Sequence, residues 1–246
     1  ESKTSLIFAS PANKGLAESV RSGISEVFKN HETVIVLEDD LILESGCISY
    51  LTWGLEKYKL DQRVATVQAY SYPLQLSSSD PYFLRGAGSW GWATWKDRWE
   101  SARWDSKVIL EDLSNKRLTR ALDFDGKYFY SKMLKQQISG QIDSWAVPFF
   151  CDVFSRGGLS LYPSTSLVRN GGMDGSGTHE GAGLGELFNS PKGVFSVPLR
   201  ELKVEESQEA RAELVKFFEN TFGLRSRLTR IYRKLVSSLR FRLRSN

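Results

Sequence analysis

Cysteine, histidine and methionine are scarce in this 246-residue chain, with two of each. Cys47 and Cys151 cannot make a disulfide framework, which fits a reducing compartment. With His31 and His179 they supply four zinc-type ligands that lack finger spacing. No apolar run approaches the roughly 18 residues of a membrane-spanning helix. No charged start followed by an apolar segment marks a signal peptide. No Gly-Lys-Ser/Thr follows a glycine-rich stretch, so there is no Walker loop.

What is present is ordinary globular usage, 41% apolar and 25% charged, with a formal net charge of +4. The length suits one large domain or two small ones. Eight of the 33 Lys and Arg lie in residues 223–246, which hold no acid, leaving 25 bases against 29 acids elsewhere. The body is therefore slightly acidic and gives no compositional reason to expect nucleic acid as a partner.

Residues 5–9 (SLIFA) and 33–37 (TVIVL) read as short buried strands, and residues 63–68 as a third. Between them, Leu16, Val20, Ile24, Val27 and Phe28, then Ile48, Leu51, Leu55 and Tyr58, recur at helical spacing. Strand, helix, strand, helix, strand predicts an α/β fold with a mostly parallel, doubly wound sheet. Strands are expected at 82–85 and 159–162, and helices at about 115–138, 144–155 and 205–221. Residues 1–200 read as the α/β domain and 201–246 as a helical region. Leu224, Leu228, Ile231, Leu235, Leu239 and Leu243, with arginines largely between them, predict a basic amphipathic helix. Such a helix suits an anionic membrane surface, or else docking on the acidic body or a partner chain.

Glu38, Asp39 and Asp40 follow four apolar residues. In an open α/β sheet, ligands bind beyond the carboxyl ends of strands. Three adjacent carboxylates repel one another unless a cation or hydrogen-bond donors compensate, and hard oxygen ligands suit Mg²⁺ or Mn²⁺. The plainer alternative is a solvated turn, with Asp as a cap for the next helix. Asp143 precedes an apolar helix and is either a general base or that helix's N-cap; Asp97, Asp123 and Asp125 are weaker candidates for the base.

Five of the seven tryptophans lie in residues 90–104. Aromatic faces stack on sugars, but Trp92, Trp95 and Trp99 also have the spacing of a core stripe on a helix. Trp90 is the ring expected at a cleft, with Trp92 as a second candidate. Residues 171–185 hold seven glycines, whose backbone N–H groups could cradle a diphosphate.

The run Asn13-Lys14-Gly15-Leu16 through Val34-Ile35-Val36-Leu37-Glu38-Asp39-Asp40-Leu41 resembles the core of GT-A-fold glycosyltransferases. More narrowly it is similar to bacterial family-2-like sugar transferases, and distantly to N-acetylglucosaminyltransferase I. Gly88-Ser89-Trp90-Gly91-Trp92 with Asp97-Arg98-Trp99, then Gln141-Ile142-Asp143-Ser144-Trp145, then Asn170-Gly171-Gly172 through His179, match in order. The resemblance spans about residues 5–185. It implies a GT-A-like (Rossmann-like) sheet flanked by helices and a metal-dependent, inverting transfer of a sugar. The donor would be a nucleotide-diphosphate sugar, and the acceptor a hydroxyl of a glycan or lipid-linked molecule, as in polysaccharide biosynthesis.

By the same resemblance, Asp40 and His179 would bind Mn²⁺ or Mg²⁺, and Asp143 would be the catalytic base. Asn13, Lys14, Gly15, Glu38, Asp39, Trp90, Gly91, Asp174 and Ser176 would contact the donor. Relatives carry a further strand–helix unit before the segment matching Ser5. The expectation is either a fragment or a divergent form that has lost that unit, in both cases with an open sheet edge and a reduced nucleotide-base pocket. The expected location is cytoplasmic, peripheral on the inner face of the membrane. Alternative readings are a noncatalytic carbohydrate-binding or membrane-adaptor protein, and a sugar nucleotidyltransferase.

Overall fold

A computed structural model of the chain describes residues 6–171, 188, 193–195 and 201–223. Its strands are β1 (Thr33–Val36), β2 (Leu41–Leu43), β3 (Val64–Gln68), β4 (Tyr82–Arg85), β5 (Trp92–Trp95), β6 (Leu159–Tyr162) and β7 (Val168–Asn170). Its helices are α1 (Leu16–Val27), α2 (Cys47–Lys57), α3 (Lys96–Glu100), α4 (Ser106–Asn115), α5 (Thr119–Leu122), α6 (Tyr130–Ile138), α7 (Ala146–Ser155) and α8 (Gln208–Phe222), with a 3-10 turn at Phe124–Gly126.

The fold is α/β, but the sheet is mixed where the sequence pointed to a mostly parallel one. Five strands lie in the order β1-β5-β3-β6-β4. β1, β3 and β6 run one way while β4 and β5 run against them, and only the neighbours β3 and β6 are parallel. The strand–helix–strand rhythm correctly separates β1 and β3 by a helix. It does not reveal that β5 inserts between them, because that pairing is set by contacts far apart in sequence. β2 and β7 form a separate antiparallel ribbon that the sequence reading lacked.

The expected strand at residues 5–9 is a further correction. Ser5 lies outside the described residues, and residues 6–9 are not a strand. Leu6, Ile7 and Phe8 are exposed. A strand needs a partner, and β1, at the sheet's edge, pairs only with β5 among the described residues. Helix α4 has no counterpart among the expected elements, although Asp105 caps it by accepting from the Lys107 and Val108 N–H groups.

The tryptophan block is a strand followed by a short helix, not a helical stripe. Side chains three apart on a strand point to opposite faces. Trp92 therefore enters the core between the sheet, α1 and α7, and Trp95 enters the core under α2. On the α2 side a Cβ on Gly54 would stand 2.7 Å from Val67 Cγ1, so only glycine lets this helix sit so near the sheet. A third cluster joins β4, α4, α6, α7 and α8, with Ala210, Leu214 and Phe218 buried along α8. No helix among the described residues is long and apolar enough to cross a membrane.

Candidate functional site

Chain direction gathers the candidate residues at one end of the sheet. α1 packs on β1, whose carboxyl end leads into Glu38 to Asp40, and Gly15 at the N-terminus of α1 stands against Asp143. Val36 pairs with Trp92. The Trp92 ring stacks on Trp145, 5.3 Å between centroids, two residues beyond Asp143. A Cβ on Gly91 would lie 3.5 Å from Leu37 Cδ2.

The acidic triplet is strained electrostatically. Burial first, then Asp40 and Asp39, push Glu38 up to about 7. Asp40 is clamped by its backbone: its carbonyl accepts from the Gly171 N–H at 2.7 Å, where the β2–β7 ribbon begins. Its Oδ1 is buried without a hydrogen-bond partner. A buried carboxylate oxygen left bare is costly, and a cation would relieve both it and Glu38. The fit is partial. Among the described residues, no three His, Cys, Asp or Glu side chains group so as to hold a metal ion. The protein share of a Mg²⁺-type shell is often one or two carboxylates, with water and substrate phosphates completing it.

Asp143 is exposed, in the loop before α7. It is not the cap of that helix, because the Ser144 hydroxyl accepts from the Val147 N–H at 3.2 Å. The Ser144 N–H in turn donates to Gln137 Oε1 at 2.9 Å, which fixes the loop. Asp143 Oδ2 would lie only 2.8 Å from a Cβ on Gly15. The weaker base candidates are engaged elsewhere. Asp97 binds Arg98 and Gln62, Asp123 accepts from Ser131, and Asp125 lies 3.6 Å from Arg211.

Asn13 and Lys14 are exposed, and the Asn13 side chain accepts from the Gly15 N–H at 2.8 Å. Trp92 is not a cleft residue but fully buried. Trp90 is part-exposed and packs edge-on against Tyr70 at 4.8 Å. Asp174, Ser176, His179 and residues 224–246 lie outside the described residues.

Trp90 also lines a cavity of about 390 Å³ that local sequence pattern does not predict. Its walls include Gln68, Tyr70, Tyr130 and Tyr162, and Ser144 places it one residue from Asp143. The signal in the sequence is Gln68 closing a strand whose other polar residue is Thr66, followed by Tyr70 and Tyr72 two apart. No protein-family model matches the chain, and no curated protein matches it.

Proposed function

We propose that the chain is a metal-dependent glycosyltransferase of the inverting kind, drawing on a nucleotide-diphosphate sugar. One observation carries the reading. Just past the carboxyl end of β1, Asp40 keeps a bare buried oxygen, beside Glu38, which burial and its acidic neighbours push up to about 7.

Asp40 would hold the cation, with donor phosphates and water completing its shell. Bound there, the cation supplies Lewis-acid stabilisation of the charge that leaves with the diphosphate. The N-terminus of α1 adds a positive helix end on the same side, beside Asn13, Lys14 and Gly15. Asp143 takes the proton of the acceptor hydroxyl as that oxygen attacks the anomeric carbon. An attack from the face opposite the leaving group needs one base and no covalent intermediate, the geometry of inverting glycoside chemistry with an alcohol in place of water. The GT-A identity, a glycan or lipid-linked acceptor and a cytoplasmic, membrane-surface location through residues 223–246 belong to the same proposal.

The test is release of nucleoside diphosphate from a panel of nucleotide sugars with Mn²⁺. Asp40→Ala is expected to abolish both turnover and the Mn²⁺-dependent thermal shift given by a nucleoside diphosphate. Asp143→Asn is expected to abolish turnover and keep the shift. Equal behaviour of Asp40→Ala and the unaltered chain would remove the reading. For the tail, flotation with anionic liposomes should fall when residues 223–246 are deleted.

A further inference from the structure

The cavity beside Trp90 contains a polar group with nothing to bind. Gln68 is 1% exposed. Its Nε2 donates to Thr66 Oγ1 at 2.6 Å, Thr66 Oγ1 meets Ser160 Oγ at 2.5 Å, and Ser160 Oγ donates to the Gly86 carbonyl at 2.5 Å. The direction of this chain follows from its last member. A carbonyl only accepts, so Ser160 gives its proton to Gly86 and must accept from Thr66. Thr66 then accepts from Gln68, which forces the amide nitrogen toward Thr66. Gln68 Oε1 is left without a partner. It lies 2.8 Å from where a Cβ on Gly88 would stand, and both residues line the cavity.

The walls narrow what that oxygen can bind. Tyr70 meets Trp90 at 75° and Tyr72 at 73°, and Trp90 meets Phe188 at 71°. Rings at right angles leave no parallel slot for a flat base. Tyr130 and Phe150 are parallel at 3.8 Å but fill each other's face. A puckered ring with apolar C–H faces and hydroxyl donors around its rim answers both features, the aromatic walls and the lone acceptor.

We propose that this cavity binds one pyranose ring of the acceptor, with a ring hydroxyl donating to Gln68 Oε1 and a C–H face against Trp90. Ser144 lines the cavity and adjoins Asp143 in the chain, which puts the cavity beside the loop that carries the proposed base. This inference rests on the sugar-transfer reading for the role of the ring, though not for its binding.

The test is a titration of the ¹⁵N-labelled full chain with methyl glucopyranosides, galactopyranosides, mannopyranosides and N-acetylglucosaminides, with uridine as the flat competitor. At least one glycoside is expected to shift the Gly88 amide and the Gln68 side-chain amide signals in a saturable way. Gly88→Ala, whose added carbon crowds Gln68 Oε1, should weaken that glycoside at least tenfold, as should Gln68→Leu, thermal unfolding confirming that each is folded. The cavity assignment is overturned if no glycoside moves those two signals, if the folded variants bind equally, or if uridine displaces the glycoside. Saturable glycoside binding in a chain that never releases nucleoside diphosphate would keep the cavity and reject the transfer. Release of nucleoside diphosphate with those signals unmoved would do the reverse.

Discussion

Gly15 and Asp143 touch across the top of the sheet: any side chain at Gly15 would start 2.8 Å from Asp143 Oδ2. Gly15 also has φ +77°, a conformation that L side chains rarely adopt. Gly15→Ala should therefore cost about 1–3 kcal/mol in urea unfolding through backbone strain. It should also displace the Asp143 carboxylate. On the proposed chemistry, turnover should fall at least tenfold, since a misplaced base harms the proton transfer.

Glu38 makes stability depend on pH in an unusual direction for a carboxylate. Its ordinary value is 4.5, and in the folded chain burial and then Asp40 and Asp39 push it up to about 7. Below pH 4.5 both states hold the proton and the group is neutral to stability. Between those values only the folded state keeps it, so stability falls as pH rises, and the penalty is complete above pH 7. Solvent screening at this part-exposed site limits it to about 1–2 kcal/mol. Urea midpoints from pH 5 to pH 8 should decline less for Glu38→Gln than for the unaltered chain. Parallel curves would show that the three carboxylates do not crowd one another.

Asp152 is fully buried and bound by Arg103 Nε at 2.5 Å and Arg156 Nη2 at 2.9 Å. Arg103 also reaches Asp112 at 2.9 Å, which ties the segment after α3 to α4 and α7. Breaking a buried pair costs about 3–5 kcal/mol. Both arginines are a third exposed and can rehydrate, so Asp152→Ala is expected near the lower end, about 3 kcal/mol by urea unfolding. A loss under about 1 kcal/mol would mean that the pairing is dispensable.

The thiols should be silent. Cys47 and Cys151 are both free and buried. Burial pushes Cys47 up to about 11 and Cys151 higher still. The thiolate is the reactive form. A colorimetric disulfide reagent at pH 8 should therefore find no fast thiol in the folded chain and both after denaturation. Rapid native reaction at either would contradict the packing around α2 or α7.

Local pattern carried the elements that depend on it. The β-branched run of β1, the apolar spacing of α1 and α2, and the strands at 64–68, 82–85 and 159–162 were all legible. Pairing was not. Nothing near Thr33 indicates that its neighbour is Trp95, because that partnership is settled by the burial of two tryptophans on opposite faces. The failed strand at residues 6–9 has the same origin: apolar composition proposes a strand, and only a partner makes one. At the site, the acidic triplet and Asp143 could be picked out as residue types after a strand and before a helix. Their common end of the sheet, the Gly15 contact and the polarity of the Gln68 chain arise from tertiary contacts that no spacing encodes.

The stacked indoles of Trp92 and Trp145, 5.3 Å apart and 22° from parallel, also form a built-in optical reporter. Transitions in two such close chromophores mix, so the pair should give a paired positive and negative band in the ultraviolet circular dichroism spectrum. One member belongs to the rigid sheet and the other lies two residues from Asp143. Trp92 also has Trp99 at 5.8 Å, so the part of the couplet that a Trp145→Phe variant loses is the part that records, without any label, whether the loop carrying the proposed base is seated against the sheet.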